Sequence, residues 1–255
     1  IRDRGDLTKI ETPDFDIDGR FPKILEMNAL FKQLTGIEPV LQFCAPFSLA
    51  ANIRGIEQLL MDICTAADFA RELFDRLTEE VIAPWVQHQR ERFPNATSIC
   101  GSDAGASLPI VNLPILRDWV VPYILRLREW CGPGVYVPNW VGEGYLERPN
   151  DLLALKLMVC PGFLEGQDPD VAKLGPGFYK EYAEKRDVPL VLGVGASFLA
   201  LSTPEGVANR VRHYTEVGGR SGRFALYLCN VGPATPPENV RAATDAVATY
   251  GVYEQ

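Results

Sequence analysis

Polar side chains occur at the ends of six short apolar runs that the sequence predicts to be β-strands. The runs cover residues 39–44, 96–100, 134–138, 162–165, 188–194 and 224–229. Carboxyl groups, an amide and a thiol lie at or soon after their ends: Asp103, Asn139, Glu143, Glu165, Asp168 and Cys229. Carboxyl groups can donate or accept protons in catalysis, and a thiol can bind a metal ion. Because chemistry in a parallel barrel gathers at the carboxyl ends of its strands, we expect these groups to line one pocket for a small molecule.

Three of these residues also have a structural interpretation. Asp103 could cap the segment that follows it. Asp168 precedes Pro169, which favours a turn or cap role. Cys229 could be a small core residue, as free cysteines often are. For Glu165 a functional role is favoured, because burying an unpaired carboxylate at the end of a strand is costly.

The composition excludes several kinds of partner. The 255 residues carry 25 Lys and Arg against 33 Asp and Glu, a formal charge of −8, so no basic face for nucleic acid or an anionic membrane is expected. No apolar run approaches the roughly 20 residues that span a bilayer, and residues 1–6 lack the apolar core of a signal peptide. The six cysteines form no CxxC motif, which is typical of reduced thiols. We therefore predict a cytoplasmic protein.

Helical patterns separate the six runs, and this alternation predicts a parallel sheet with helices packed outside it. Helical patterns cover residues 22–34, 68–92, 114–130, 150–159, 176–186, 204–217 and 236–250. In the longest of them, a kink or break is predicted at Pro84. Residues 193–196, at the end of the fifth run, are interpreted as a strand-end turn, because they carry only the first two glycines of a dinucleotide-binding motif. Six strands fit either an open doubly wound sheet or an eight-stranded barrel that lacks two strands at one end.

Four segments resemble the uroporphyrinogen decarboxylase-like superfamily, which also contains the cobalamin (corrinoid)-dependent methyltransferases. Residues 14–22 resemble the family's approach to its early helix, and residues 45–50, APFSLA, resemble its GPFTLA segment. Asp103 and Ser107, followed by residues 121–123, resemble its central block. Residues 235–240, TPPENV, resemble its closing helix and are the most specific of the four.

The resemblance implies an α/β fold of the (β/α)8 TIM-barrel type, formed as a single domain over residues 1–255. Family members begin well upstream of the position that matches Ile1, so the resemblance implies that the first two strands are absent from this chain. An unseen N-terminal segment or a second polypeptide is then expected to complete the barrel, because open sheet edges are unfavourable.

Within the superfamily, the resemblance favours the methyltransferase branch. Decarboxylases place a tyrosine where this chain has Asn52. In the methyltransferase branch a cysteine precedes the threonine of the final TP by six residues, as Cys229 precedes Thr235 here. That cysteine joins a His-x-Cys pair to bind zinc, but the corresponding positions are Asn139 and Val141. We therefore predict no metal site, with Cys229 as the remaining ligand if zinc binds.

The resemblance implies a methyltransferase that moves a methyl group between a methoxy- or methylamine-type small molecule and a corrinoid protein. Asp103 and Glu165 are the predicted catalytic residues, one of which would donate a proton to the leaving oxygen of an ether. The predicted substrate-binding residues are Asn52, Asn139, Trp140, Glu143, Tyr145, Gln167 and Cys229. The corrinoid is expected on a partner protein that docks over the pocket. Two alternatives stay open: a decarboxylase or other lyase acting on a carboxylated small molecule such as a porphyrinogen, and a barrel subunit without catalytic activity.

Overall fold

The computed structural model describes residues 1–252 and divides into two units, each considered by itself. The first unit is Ile1–Trp140, and the second begins at Val141. The predicted single domain over residues 1–255 stays a prediction, and its last three residues lie outside the described part of the chain.

The first unit contains a three-stranded parallel sheet in the order β1-β2-β3. Its strands are β1 (Leu41–Cys44), β2 (Ile99–Ser102) and β3 (Val135–Tyr136), and Leu41 pairs with Ile99, which pairs with Val135. These three side chains are fully buried. The helices of this unit are α1 (Phe21–Thr35), α2 (Pro46–Arg54), α3 (Ile56–Thr65), α4 (Ala67–Arg76), α5 (Ala83–Arg92), α6 (Leu113–Ile115) and α7 (Val121–Cys131).

The second unit contains a separate parallel sheet in the order β4-β5-β6. Its strands are β4 (Leu164–Gln167), β5 (Leu190–Val194) and β6 (Phe224–Leu228). The helices are α8 (Asn150–Val159), α9 (Asp170–Leu174), α10 (Pro176–Glu184), α11 (Ala196–Leu201), α12 (Pro204–Gly218) and α13 (Pro237–Tyr250). One buried core joins the sheet to α10, α12 and α13 through residues such as Leu192, Tyr179, Val211 and Ala243.

The six predicted strands are confirmed, each within three residues of its predicted bounds. The parallel pairing and the intervening helices confirm the α/β class. Eight-strand closure, and a further segment or polypeptide to provide it, stay predictions. Helices α2, α3, α9 and α11 occur where the sequence analysis assigned no element.

The helical pattern does not break at Pro84, but its hydrogen bonding changes just before this residue. A π-helical segment, Leu77–Ile82, separates α4 from α5, and Pro84 lies in the first turn of α5. Proline has no N–H to bond the carbonyl four residues earlier. That carbonyl, of Glu80, instead accepts a hydrogen bond from the Thr12 hydroxyl at 2.6 Å. The π-segment Leu116–Val120 precedes Pro122 in the same way.

Side chains from α5 cover part of the outer edge of β1. The backbone N–H and carbonyl of Gln42 face away from β2, because the N–H groups of Leu41 and Ala45 donate to carbonyls on the β2 side. The Gln42 carbonyl accepts hydrogen bonds from Trp85 Nε1 and Gln89 Nε2, both at 3.0 Å. Its N–H donates to Gln89 Oε1 at 3.3 Å. The buried Gln89 amide therefore supplies the contacts that a neighbouring strand would make.

Within residues 1–252, no helix combines the length and the apolar character needed to cross a membrane.

Candidate active site

The two faces of the β4-β5-β6 sheet differ in chemistry. Leu190, Leu192 and Val194 belong to the core shared with the helices. On that face a side chain at Gly166 would strike the Tyr179 ring of α10, with its Cβ 2.7 Å from the ring. Because strand side chains alternate, the intervening residues point to the other face. That face carries Glu165 and Gln167 from β4, Val191 and Gly193 from β5, and Ala225, Tyr227 and Cys229 from the last run. We call it the polar face.

Gly193 allows side chains of the last run to reach across the central strand. It pairs with Gln167 on one side and with Tyr227 on the other. A Cβ atom at Gly193 would lie 2.6 Å from Cys229 Sγ and 2.7 Å from Tyr227 Cζ. These distances are shorter than real Cβ contacts, so a side chain at this position would displace both groups. The expected strand-end turn over residues 193–196 does lie where the strand ends, since β5 stops at Val194 and α11 begins at Ala196, but Gly193 itself belongs to the strand. The residue lies inside β5, and its missing side chain provides a passage over the strand.

Two hydrogen bonds cross this passage. The Tyr227 hydroxyl donates to Glu165 Oε1 at 2.8 Å, and the Cys229 thiol donates to Gln167 Oε1 at 3.2 Å. These bonds fix the orientation of both β4 side chains. They leave Glu165 Oε2 and the Gln167 amide nitrogen as the groups that the polar face offers to a ligand.

Burial keeps both donors protonated. It raises the pKa of the Tyr227 hydroxyl far above its ordinary value, and the negative charge of Glu165 acts in the same direction. Burial also raises the pKa of the Cys229 thiol to about 11, although the hydrogen bond with Tyr227 opposes the shift. Near neutral pH neither group is a nucleophile or a strong acid.

Glu165 and Asp168 differ in their partners. Asp168, just after β4, accepts hydrogen bonds from Arg210 Nη1 at 2.8 Å, from the Gly195 N–H at 3.1 Å and from the Tyr214 hydroxyl. These bonds tie the end of β4 to α12 and to the start of α11, in agreement with the structural role favoured for Asp168. Glu165, which is 9% exposed, has no ion pair with a described Lys, Arg or His of this unit.

Asp103, the other predicted catalytic residue, lies in the first unit at the end of β2. Its Oδ1 accepts from the Ser48 N–H at 2.9 Å, and its Oδ2 accepts from Trp140 Nε1 at 3.1 Å. Its own N–H donates to Asn139 Oδ1 at 2.9 Å. The side chain is fully buried. These bonds link the ends of β2 and β3 to α2, so Asp103 holds local structure within this unit.

Burial raises the pKa of Asp103 to about 6, while the hydrogen bonds from Trp140 and Ser48 oppose the shift. Between about pH 4 and 6 the native state therefore holds a proton that the unfolded chain has released. Stability from this group consequently falls as the pH rises through that range.

Asp103→Asn is expected to lower the free energy of unfolding at pH 7 by about 1–3 kcal/mol, because the new amide N–H must face one of the two N–H donors. The variant should also lack the loss of stability between pH 4 and 6. Urea unfolding at several pH values measures both effects. If the difference in the free energy of unfolding between variant and wild type stays the same from pH 4 to 6, the raised pKa of Asp103 is contradicted.

The remaining predicted residues of the first unit fall into two groups. Asn139 and Trp140 belong to the Asp103 cluster, and the Trp140 ring is fully buried. Asn52 is exposed on α2. Their roles in substrate binding stay predictions.

Glu143 and Tyr145, in the second unit, lie off the polar face. Glu143 Oε1 is 2.8 Å from Lys156 Nζ, with both side chains almost fully buried. Burial raises the pKa of Glu143, and the charge of Lys156 opposes the shift. Tyr145 is 65% exposed, with its ring 6.0 Å from Lys173 Nζ. Their predicted substrate roles also stay predictions.

Two residues of the second unit were missed by the sequence analysis. Tyr227 lies two positions before Cys229, and side chains two apart in a strand share a face. Lys156 is the lone charge in the apolar run 152–159, a sign of a buried ion pair.

The described side chains do not form a zinc site of the kind seen in the methyltransferase branch. No three His, Cys, Asp or Glu residues gather at positions suited to a metal ion within residues 1–252. The Cys229 thiol instead donates to Gln167.

Parallel strands joined by helices, with polar groups toward their carboxyl ends, are typical of α/β enzymes. The model of the uroporphyrinogen decarboxylase (URO-D) family matches residues 1–250. The chain therefore belongs to the URO-D family, and the family prediction from sequence is confirmed. A search of curated protein sequences finds no match.

A methyltransferase from Methanosarcina mazei is similar in structure, with a TM-score of 0.74. The match covers 97% of this chain and 70% of that protein, at 18% sequence identity. At this identity the similarity concerns the fold.

Proposed function

We propose that the protein is a methyltransferase that takes a methyl group from a heteroatom of a small molecule and passes it to a corrinoid carried by a partner protein. Membership of the URO-D family and the fold similarity to a methyltransferase support this proposal. The observation that carries it is the polar face, where Tyr227 orients Glu165 and Cys229 orients Gln167 across Gly193.

Glu165 and Gln167 are the groups that hold the substrate. They are two residues apart on β4, so they can contact two points of one small molecule. Side chains already fixed by hydrogen bonds lose little conformational entropy on binding, which favours a single orientation of the methyl group. The corrinoid is here a second substrate, the nucleophile that accepts the methyl carbon.

The lack of a cation beside Glu165 in this unit argues against decarboxylation of a polycarboxylate at the polar face. A carboxylated substrate placed there would meet like charge, which is unfavourable.

The test is methyl transfer to free cob(I)alamin, followed by the change in its absorbance on methylation, with a panel of methoxy and N-methyl donors. We expect turnover with at least one donor. Tyr227→Phe should lower the rate of methyl transfer about tenfold or more, because Glu165 loses its orienting hydrogen bond. Tyr250→Phe, the control, should keep the wild-type rate. Release of carbon dioxide from uroporphyrinogen, with no methylation from any donor, would overturn the proposal in favour of a decarboxylase.

A further inference from the structure

We propose that the methyl donor is an N-methylammonium compound, a quaternary or protonated amine, and that Glu165 binds its positive charge. This inference rests on the proposed function and chooses between the two donor classes that the sequence analysis left open. It depends on two features of the polar face: the protons available there and the charge that it presents.

The first feature is that both side-chain protons bound to oxygen or sulfur are already in use. The Tyr227 hydroxyl proton is directed to Glu165, and the Cys229 thiol proton is directed to Gln167. Both groups also hold their protons more tightly than they would in water. Asp103, the other predicted acid, is fully buried in the first unit with both oxygens bonded to N–H donors.

Ether demethylation requires a proton for the leaving oxygen, which would otherwise depart as an anion. Demethylation of an ammonium compound does not. The carbon–nitrogen bond breaks, its electron pair stays on nitrogen, and the amine leaves neutral. The methyl carbon bonds to the nucleophilic acceptor through the acceptor's own electron pair. The contacts of the polar face therefore suit an ammonium donor better than an ether.

The second feature is charge. Asp168 is paired with Arg210 at 2.8 Å, and Glu143 with Lys156 at 2.8 Å. Asp170, also buried and without an ion pair among the described residues, instead accepts hydrogen bonds from the Gly142 and Gly144 N–H groups on its two oxygens. Glu165 has no cation partner among the described residues of its unit. A bound ammonium would supply that partner, and attraction between opposite charges is strong where water is partly excluded. The half-buried Tyr227 ring beside Glu165 adds a surface of the kind that attracts quaternary ammonium groups.

The test compares choline with its neutral carbon isostere, 3,3-dimethylbutan-1-ol, in calorimetric titrations of the full chain. The two probes have nearly the same shape and differ in charge. We expect choline to bind at least tenfold more tightly. Glu165→Gln should bring the ratio close to one, Glu165→Asp should retain a preference because it keeps the charge, and Glu205→Gln, an exposed glutamate of α12, should leave the ratio unchanged.

Equal binding of the two probes by the wild type, or a preference for choline that survives Glu165→Gln, would overturn the inference. The methylation assay separates this failure from failure of the proposed function. Methylation of cob(I)alamin by a methoxy donor alone, without choline preference, removes the inference and keeps the methyltransferase. A Glu165-dependent choline preference without methylation from any donor confirms the cation site and overturns the methyltransferase.

Discussion

Replacing Lys156 by methionine is expected to lower the free energy of unfolding by about 3–5 kcal/mol. Lys156 Nζ lies 2.8 Å from Glu143 Oε1, and neither side chain is more than 2% exposed. Methionine fills the space of the lysine stem but leaves the Glu143 carboxyl without its charge partner. Asp170 cannot replace it, because an acid carries no positive charge and its hydrogen bond with Glu143 raises the pKa of Glu143 further. Urea unfolding followed by circular dichroism measures the loss.

A double variant separates the lost partner from simple repacking. Glu143→Leu combined with Lys156→Met removes both charges, and we expect it to recover most of the stability, since apolar replacements of a whole buried pair are often neutral or stabilising. The matched surface control is Lys185→Met, because Lys185 pairs with Glu181 on an exposed stretch near the end of α10. It should leave the unfolding midpoint unchanged. A single Lys156→Met variant as stable as this control would contradict the buried-pair assignment.

The strands and the family could be predicted from sequence because their signals are local. Each strand is a short, mostly apolar run bounded by Gly, Pro or charged residues, and alternation with helical patterns is sufficient to predict parallel pairing. Helices α2 and α3 were not predicted because their local signals are misleading. Pro46 and Gly55 stand at their beginnings and resemble loop punctuation in sequence, yet Pro in a first turn is compatible with a helix.

The site was harder to predict because side-chain partners come from distant positions. Glu165, Gln167 and Cys229 were identified from their places at strand ends, and the structure brings them together on one face. What brings them together is Gly193, which resembles a turn glycine in sequence. Its role depends on the approach of Tyr227 and Cys229 from the neighbouring strand. A glycine inside a strand can mark such a close approach. Gly193, together with Tyr227 two residues before Cys229, is the sequence signal from which this contact could have been predicted.

The partners of a carboxyl group decide its chemistry, and a single sequence does not show them. Glu143, Glu165 and Asp168 all lie at or soon after the ends of predicted strands and were grouped with Asp103 as one acidic set. In the structure Glu143 pairs with Lys156 and Asp168 with Arg210. Lys156 is 13 residues from its partner and Arg210 is 42 residues from its partner, so no local spacing rule connects them. Only when these pairs are known does Glu165 stand apart as the member of this set in the second unit that has no cation partner there.

Glu165→Gln is therefore expected to lower kcat/KM for an N-methyl donor by about 10²–10³-fold, the effect of removing one partner of a partly desolvated charge pair. The change should appear mainly in KM. Glutamine has the same shape and can accept the Tyr227 hydrogen bond through its amide oxygen, so the polar face should keep its geometry. The positive charge of the donor disappears as the methyl group leaves, so the carboxylate stabilises the bound donor more than the transition state. Removing it should leave kcat within about tenfold of the wild-type value.

The separation between KM and kcat distinguishes a cation-binding Glu165 from the proton donor that the sequence analysis expects. A proton donor acts in the transition state, so its loss lowers kcat and leaves KM nearly unchanged. Steady-state methylation of cob(I)alamin over a range of donor concentrations measures both constants, with Glu205→Gln as the charge-matched control. A hundredfold or larger decrease in turnover rate at constant KM would return Glu165 to the role of general acid and would favour ethers as substrates. A rise in KM at constant kcat, absent from the control, is the result expected if Glu165 holds the charge of the donor.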